Sequence, residues 1–233
     1  MKPFSLLAGI FILCACTTQQ AYKNDLSRYG YLGDVKRLIT FKYLNFSDSI
    51  PLDSASFNYR TLYDYNKDGH VSFMQFVLNR SRQNQTSMAV NYAYKIKGGR
   101  KTGWQEVNML TKDTSYGTIE NLDQTHLYER KYSSDNQLTY EIITELDSQD
   151  YEERIAEIKQ YANATLVSDE KIFNMIAIDG SNYRVELDVL TGKTDTIWVE
   201  ILKRDVLGNA SELIETRSSN RSKTFIRKEF SYY

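Results

Sequence analysis

Cysteine is nearly missing from this 233-residue chain, with two residues, at positions 14 and 16, and none afterwards. The folded part therefore uses no disulfide and no thiolate metal site, although an oxidising compartment would permit disulfides. Proline is as scarce, at two residues, and so is histidine, with His70 and His126 alone. Few prolines leave long strands uninterrupted. Neither histidine stands in a His-Glu-x-x-His or nucleophile-elbow spacing, so the local signatures of metalloproteases and triad hydrolases are missing, and both are expected on strand surfaces. An excess of one charge is missing too, since 29 Lys and Arg stand against 30 Asp and Glu. That balance gives no footprint for nucleic acid and no polybasic membrane patch. Beyond the first sixteen residues, no apolar run approaches the ~18 residues of a membrane-spanning helix.

Aromatic residues are plentiful, 18 Tyr among them, and they fall in rows of period two. Phe57, Tyr59, Thr61, Tyr63 and Tyr65 share one face against Asn58, Arg60 and Asp64. Met88, Val90, Tyr92, Tyr94 and Ile96 do the same, as do Leu138 to Leu146 and Tyr183 to Val189. One-sided alternation marks antiparallel sheet, because parallel strands are covered on both faces. Asn66-Lys67-Asp68-Gly69, Ser133-Ser134-Asp135-Asn136, Leu190-Thr191-Gly192-Lys193 and Asp205 to Asn209 supply residues that accept φ > 0 in hairpin turns, with Gly98-Gly99 as a fifth candidate. One helix is expected over 151–162, where Tyr151, Ile155, Ile158 and Ala162 share a helical face behind a capping Asp150. The expected fold is all-β and mainly antiparallel: an extended or curved multi-hairpin sheet, with a sandwich or half-barrel as alternatives, and one short helix.

The N-terminus reads as an export signal. A positive Met-Lys start precedes an apolar run, Phe4 to Leu13, of secretory length and too short to span a bilayer. Leu13-Cys14-Ala15-Cys16 resembles the lipobox of bacterial lipoproteins, with Cys16 the better acceptor because Leu13 would be misplaced for cleavage before Cys14. This resemblance implies a signal peptide over 1–15, lipid attachment at Cys16, and a polar tether over 16–30 leading to one β-rich domain over 31–233. Several acyl chains together hold a protein to a membrane where one is marginal. Thr17-Thr18-Gln19-Gln20 carries no Asp after the cysteine, which favours the outer membrane, and no early acidic cluster of the kind tied to surface export, which favours a periplasm-facing position.

Tyr65-Asn66-Lys67-Asp68-Gly69-His70-Val71-Ser72-Phe73 overlays Tyr132-Ser133-Ser134-Asp135-Asn136-Gln137-Leu138-Thr139-Tyr140. Each has a strand-ending Tyr, a turn, and an apolar–hydroxyl–aromatic strand start. The pattern resembles the YD (RHS-type) hairpin repeat, and the chain is similar to YD-like envelope lipoproteins of Bacteroidota. This likeness implies stacked hairpins and an envelope location, and it brings no activity.

Residues 64–75 also resemble an EF-hand loop. Asp64, Asn66, Asp68, the His70 carbonyl and Ser72 fall at ligand positions, but Gln75 stands where the bidentate Glu belongs. The β-type flanks favour a plain hairpin. The functional expectation is a lipid-anchored, non-enzymatic envelope module that binds or scaffolds, with an envelope protein or glycan as partner and no cofactor. Two alternatives stand beside it. One is a ligand-binding barrel or half-barrel whose Tyr59, Tyr63, Tyr65, Tyr92 and Tyr94 line a cavity, and the other is weak calcium binding through 64–75.

Overall fold

The computed structural model describes residues 24–47, 56–80, 83–97, 100–123, 125–148, 152–177 and 180–233. Cys16, the signal segment and the Gly98-Gly99 turn lie outside the described residues. A one-turn helix α1 (Asp25–Arg28) precedes fourteen strands. These are β1 (Val35–Leu44), β2 (Tyr59–Tyr65), β3 (Val71–Arg80), β4 (Gln83–Lys97), β5 (Arg100–Asn108), β6 (Thr114–Asn121) and β7 (His126–Tyr132). They continue as β8 (Leu138–Leu146), β9 (Glu153–Ala162), β10 (Thr165–Ile176), β11 (Asn182–Asp188), β12 (Lys193–Arg204), β13 (Ala210–Arg217) and β14 (Lys223–Tyr232). Every strand pairs with its sequence neighbours, and β14 pairs antiparallel with β1. The sheet therefore closes into a barrel with no free edge. The all-β antiparallel class expected from the alternation is what is found, but the sheet is closed rather than extended or half-open.

The predicted helix over 151–162 is instead strand β9, hydrogen-bonded on both sides, with Ile158 opposite Ile142 of β8 and opposite Glu170 of β10. Ala156 and Ile158 turn to the lumen, while Glu157 and Lys159 turn outward and pair with each other at 2.8 Å. Apolar residues at both helical and alternating spacing satisfy either pattern, and two flanking strands decide between them.

Residues 24–30, expected within a tether, are part of the folded structure. From Asn24 onward the chain is folded, and Asp25, Leu26 and Arg28 are buried. Asn24 and Ser27 cap α1 reciprocally, side chain to backbone, in a capping-box arrangement. The helix then lies in the barrel mouth beside the β2–β3 turn, where the Leu26 N–H donates to the Gly69 carbonyl. That end, which also holds the β12–β13 turn and the C-terminus, is the plugged end.

The two overlaid segments become the β2–β3 and β7–β8 hairpins, at opposite ends of the barrel. They share one construction. Gly69 N–H donates to the Asn66 carbonyl and Asn136 N–H to the Ser133 carbonyl, with φ of 80° and 64° at Gly69 and Asn136. In each, the register slips beside the closing Tyr, between Asp64 and Tyr65 and between Lys131 and Tyr132. The hydroxyls of Ser72 and Thr139 then donate to the carbonyls of Asp64 and Lys131, each at 3.1 Å. The hydroxyl in the repeated pattern thus satisfies a carbonyl beside the slipped register. The Asp205–Asn209 turn has the same bonds, closing through Gly208 at φ 96°.

Alternation assigns the two faces. Leu38, Tyr63 and Phe230 meet inside, joining Leu26, Val35 and Tyr65 in a buried cluster under the plug. Facing outward on the same strands, Phe41, Tyr43 and Phe225 pack with Phe57 in a second cluster. Elsewhere the outer face carries charge near the strand centres: Arg130 on β7, Glu141 on β8, Glu157 and Lys159 on β9, Lys171 on β10 and Arg227 on β14.

Candidate ligand cavity

Half of the lumen is filled by ion pairs. Arg184 bonds Glu186 and Glu215, and Arg217 bonds Glu186 and Asp195, at 2.9–3.2 Å. Lys42 faces this group and stacks over Tyr59 with its Nζ 5.7 Å from the ring centroid. Burial, the largest influence, holds its ammonium below the usual lysine range against the pull of Glu215.

The other half holds a cavity of about 670 Å³. Its floor is α1 with Tyr29, and its rim at the open end includes Thr139, Ala162 and Val167. Tyr63, Met74, Tyr92, Tyr94, Trp104, Tyr140 and Ile142 form the wall. The Tyr92 and Tyr94 rings stand parallel, 6.4 Å apart with 6° between planes, two residues apart on one face of β4. Trp104 sits opposite Tyr94 in the β4–β5 register, and Gly117 lies opposite Trp104 on β6. A methyl group on Gly117 would lie 2.2 Å from the Trp104 ring, so the indole spreads over a position only glycine leaves open.

Charged groups at the cavity floor and wall are matched among themselves. Arg28 bonds Glu129 at 2.6 Å, Thr144 at 2.7 Å and Glu153 at 2.9 Å. Lys101 reaches Asp25 at 3.1 Å while standing 4.1 Å from the Tyr94 centroid, and Asp25 also accepts from the Val71 N–H at 2.9 Å. Lys131 pairs with Glu106. The Tyr94 hydroxyl donates to the Val71 carbonyl. Burial, ahead of the neighbouring Asp25 and Glu106 charges respectively, pushes the Tyr94 and Tyr92 hydroxyls up, so both remain neutral donors. The arrangement offers flat aromatic faces, hydroxyls and compensated charge.

Of the aromatic residues singled out from sequence, Tyr63, Tyr92 and Tyr94 line this cavity. Tyr59 faces the lumen elsewhere, packed on Phe76 at 5.5 Å, and Tyr65 is buried in the cluster under the plug. Trp104, Tyr140 and the α1 residues were not legible as a site. Tyr140 belongs to an alternating row, but nothing local says that its row and that of Tyr92 meet across a lumen.

The calcium reading of 64–75 does not fit the geometry. Asp64 turns outward, where both its oxygens take Arg37. The Asn66 side-chain oxygen accepts the N–H groups of Asp68 and His70, each at 3.0 Å, and Ser72 is bonded to the strand. Gln75 lies on β3 beside Arg60, at 3.4 Å. The would-be ligands point apart because the segment is a hairpin. His70, expected at a strand surface, is buried with its Nδ1 3.5 Å from Asp25, whereas His126 opens strand β7, half-exposed, with its Nδ1 2.8 Å from Asp123.

The chain is thus a closed fourteen-stranded antiparallel β-barrel with a helical plug and an aromatic lumen. No protein-family model matches it. No curated protein matches it either. Among solved structures it is similar to a porin-like protein from Bacteroides vulgatus, at 10% identity and a TM-score of 0.48, over 85% of this chain and 98% of that one. A second porin-like protein, from Bacteroides uniformis, is similar at 10% identity and a TM-score of 0.43, over 88% of this chain and all of that one.

Proposed function

We propose that this protein is a lipid-anchored β-barrel of the bacterial envelope that stands in water and binds an uncharged, ring-bearing ligand, such as a neutral oligosaccharide, in its lumen. The observation that carries this reading is the cavity of about 670 Å³ walled by Tyr63, Tyr92, Tyr94, Trp104 and Tyr140, with its charges paired. That volume lies in the usual range for small-molecule sites. A charged ligand would have to break an existing pair, whereas a sugar ring stacks on Tyr and Trp faces and bonds to hydroxyls. The outer surface favours a barrel in water over one crossing a bilayer. Arg130, Lys159, Lys171 and Arg227 face outward near strand centres. Each would cost about 2–4 kcal/mol at a bilayer midplane. Anchoring then falls to Cys16, and the mass of the purified mature chain checks it: the lipid reading requires cleavage before Cys16 and added acyl mass.

The two tryptophans separate the sites, since Trp104 lines the cavity and Trp198 is exposed on the outside. In Trp198→Phe protein the remaining fluorescence reports the lumen. Titration with neutral linear oligosaccharides is expected to change its intensity and wavelength saturably. A flat response across the panel, with acrylamide quenching unchanged, would contradict the glycan assignment.

A further inference from the structure

The plugged end carries an apolar sector that the lumen does not explain. Val206, at the tip of the β12–β13 turn, is 95% exposed, and Leu207, Leu202, Leu32 and Tyr233 beside it are also exposed. The turn is held rigidly in this display. Asp205 accepts the N–H groups of Leu207 and Asn209 and the Tyr232 hydroxyl, and Asn209 bonds both backbone groups of Leu32 at 2.8 and 2.9 Å. Leu32 also packs against Gly208, and Leu207 against Gly33, so these side chains form one patch. Cations border it, with Asp34 beside Tyr233 and Glu212 beside Lys203 among them. Lys36 stands 5.9 Å from the Tyr233 centroid, and Lys203 and Arg204 precede the turn, exposed. Apolar tips with a tyrosine and lysines or arginines at one level are what a headgroup layer accommodates.

The described chain begins at this same end, with the Asn24 side chain against Gly69. Seven residues lie between Cys16 and Asn24, eight Cα steps in all. A chain of that length reaches no farther than roughly 30 Å. We infer that the Leu32–Leu202–Val206–Leu207–Tyr233 sector is a membrane-docking surface that seats the plugged end on an anionic lipid leaflet and turns the open mouth of the lumen away from it. This rests on the proposed lipid at Cys16, which supplies the hold, while the sector supplies the orientation.

The test uses the full chain, processed by its host and reconstituted in phosphatidylethanolamine–phosphatidylglycerol vesicles. With Cys16 blocked by lipid, Val206→Cys carries the one free thiol of the mature chain and takes an environment-sensitive dye at an exposed site. Leu190→Cys, on the β11–β12 turn at the open end, is the control. Docking predicts emission shifted to shorter wavelength and quenching by spin-labelled lipid at position 206, with neither at 190. Vesicle flotation with equal emission at both positions overturns docking and leaves the anchor standing. Failure to float removes the anchor and the docking that depends on it.

Discussion

Gly117 and Trp104 form the tightest residue-scale dependence in the lumen. The indole occupies the space a Cβ would need, so Gly117→Ala forces either the ring or β6 to move. Overpacking of this kind costs about 1–3 kcal/mol. The expected outcome is a lowered thermal midpoint together with a changed Trp104 emission spectrum in Trp198→Phe protein. A spectrum identical to the parent would mean the ring does not rest there. Arg28 is the second such residue. Its guanidinium is buried among Glu129, Thr144 and Glu153, which it joins across three strands. Removing one partner leaves buried carboxylates uncompensated, at about 3–5 kcal/mol. Arg28→Ala is therefore expected to destabilise by that amount in urea unfolding, while Arg37→Ala, whose pair with Asp64 is exposed, changes stability by about 1 kcal/mol or less.

At the scale of elements, the β12–β13 turn and the plug entry are locked by one carboxylate. Burial alone would raise Asp205, but the Tyr232 hydroxyl, the Asn209 backbone and side chain and the Leu207 N–H outweigh it and hold the carboxyl below the usual range. The same bond raises the Tyr232 hydroxyl, after burial, to about 12. A carboxyl depressed in the folded state stabilises fully above its unfolded value of about 3.9, and that contribution is lost as pH falls toward the folded value. The thermal midpoint should hold steady from neutral pH to about 5 and fall below about 4. Asp205→Asn should reduce the size of that acid drop, and an unchanged drop would remove the turn from the account.

The elements also show what sequence could and could not tell. Tyr59 to Tyr65 and Met88 to Tyr94 alternate cleanly because each strand has one lumen face, and the Asn-Lys-Asp-Gly and Ser-Ser-Asp-Asn turns are each encoded in four residues. Strand β9 is ambiguous locally because Ile155, Ile158 and Ala162 suit a helix as well, and the bonds to β8 and β10 that settle it come from outside the segment. Alpha-1 reads locally as tether because three of its four residues are polar and lack periodicity, yet Asp25, Leu26 and Arg28 are buried, the two charged ones through side-chain partners 76 to 125 residues away.

For the whole molecule, closure is the least local feature of all. It depends on β1 meeting β14, with Leu38 opposite Phe230, and no short motif announces a pairing across nearly the full chain. Closure is also what turns three separate tyrosine rows into a cavity, since the β2, β4 and β8 faces converge only once the sheet curls shut. A barrel with charges around its outer strand centres and a plugged base suits a container better than a pore. The non-lipidated chain, carrying Cys16→Ala and exported behind an ordinary secretory signal, is accordingly expected to remain monomeric in buffer without detergent. Dependence on detergent would instead favour a membrane-crossing barrel.

A ligand bound inside the barrel must be excluded when the cavity is filled. Ile142→Trp places a large ring into the wall opposite the tyrosines. Calorimetry would compare this variant with the parent, using the neutral oligosaccharide that gives the strongest Trp104 response, after circular dichroism shows the same β content in both. Heat of binding is expected in the parent, with at least a tenfold loss of affinity in the variant, about 1.4 kcal/mol or more. Undiminished binding in the filled variant would place the ligand elsewhere and contradict the account.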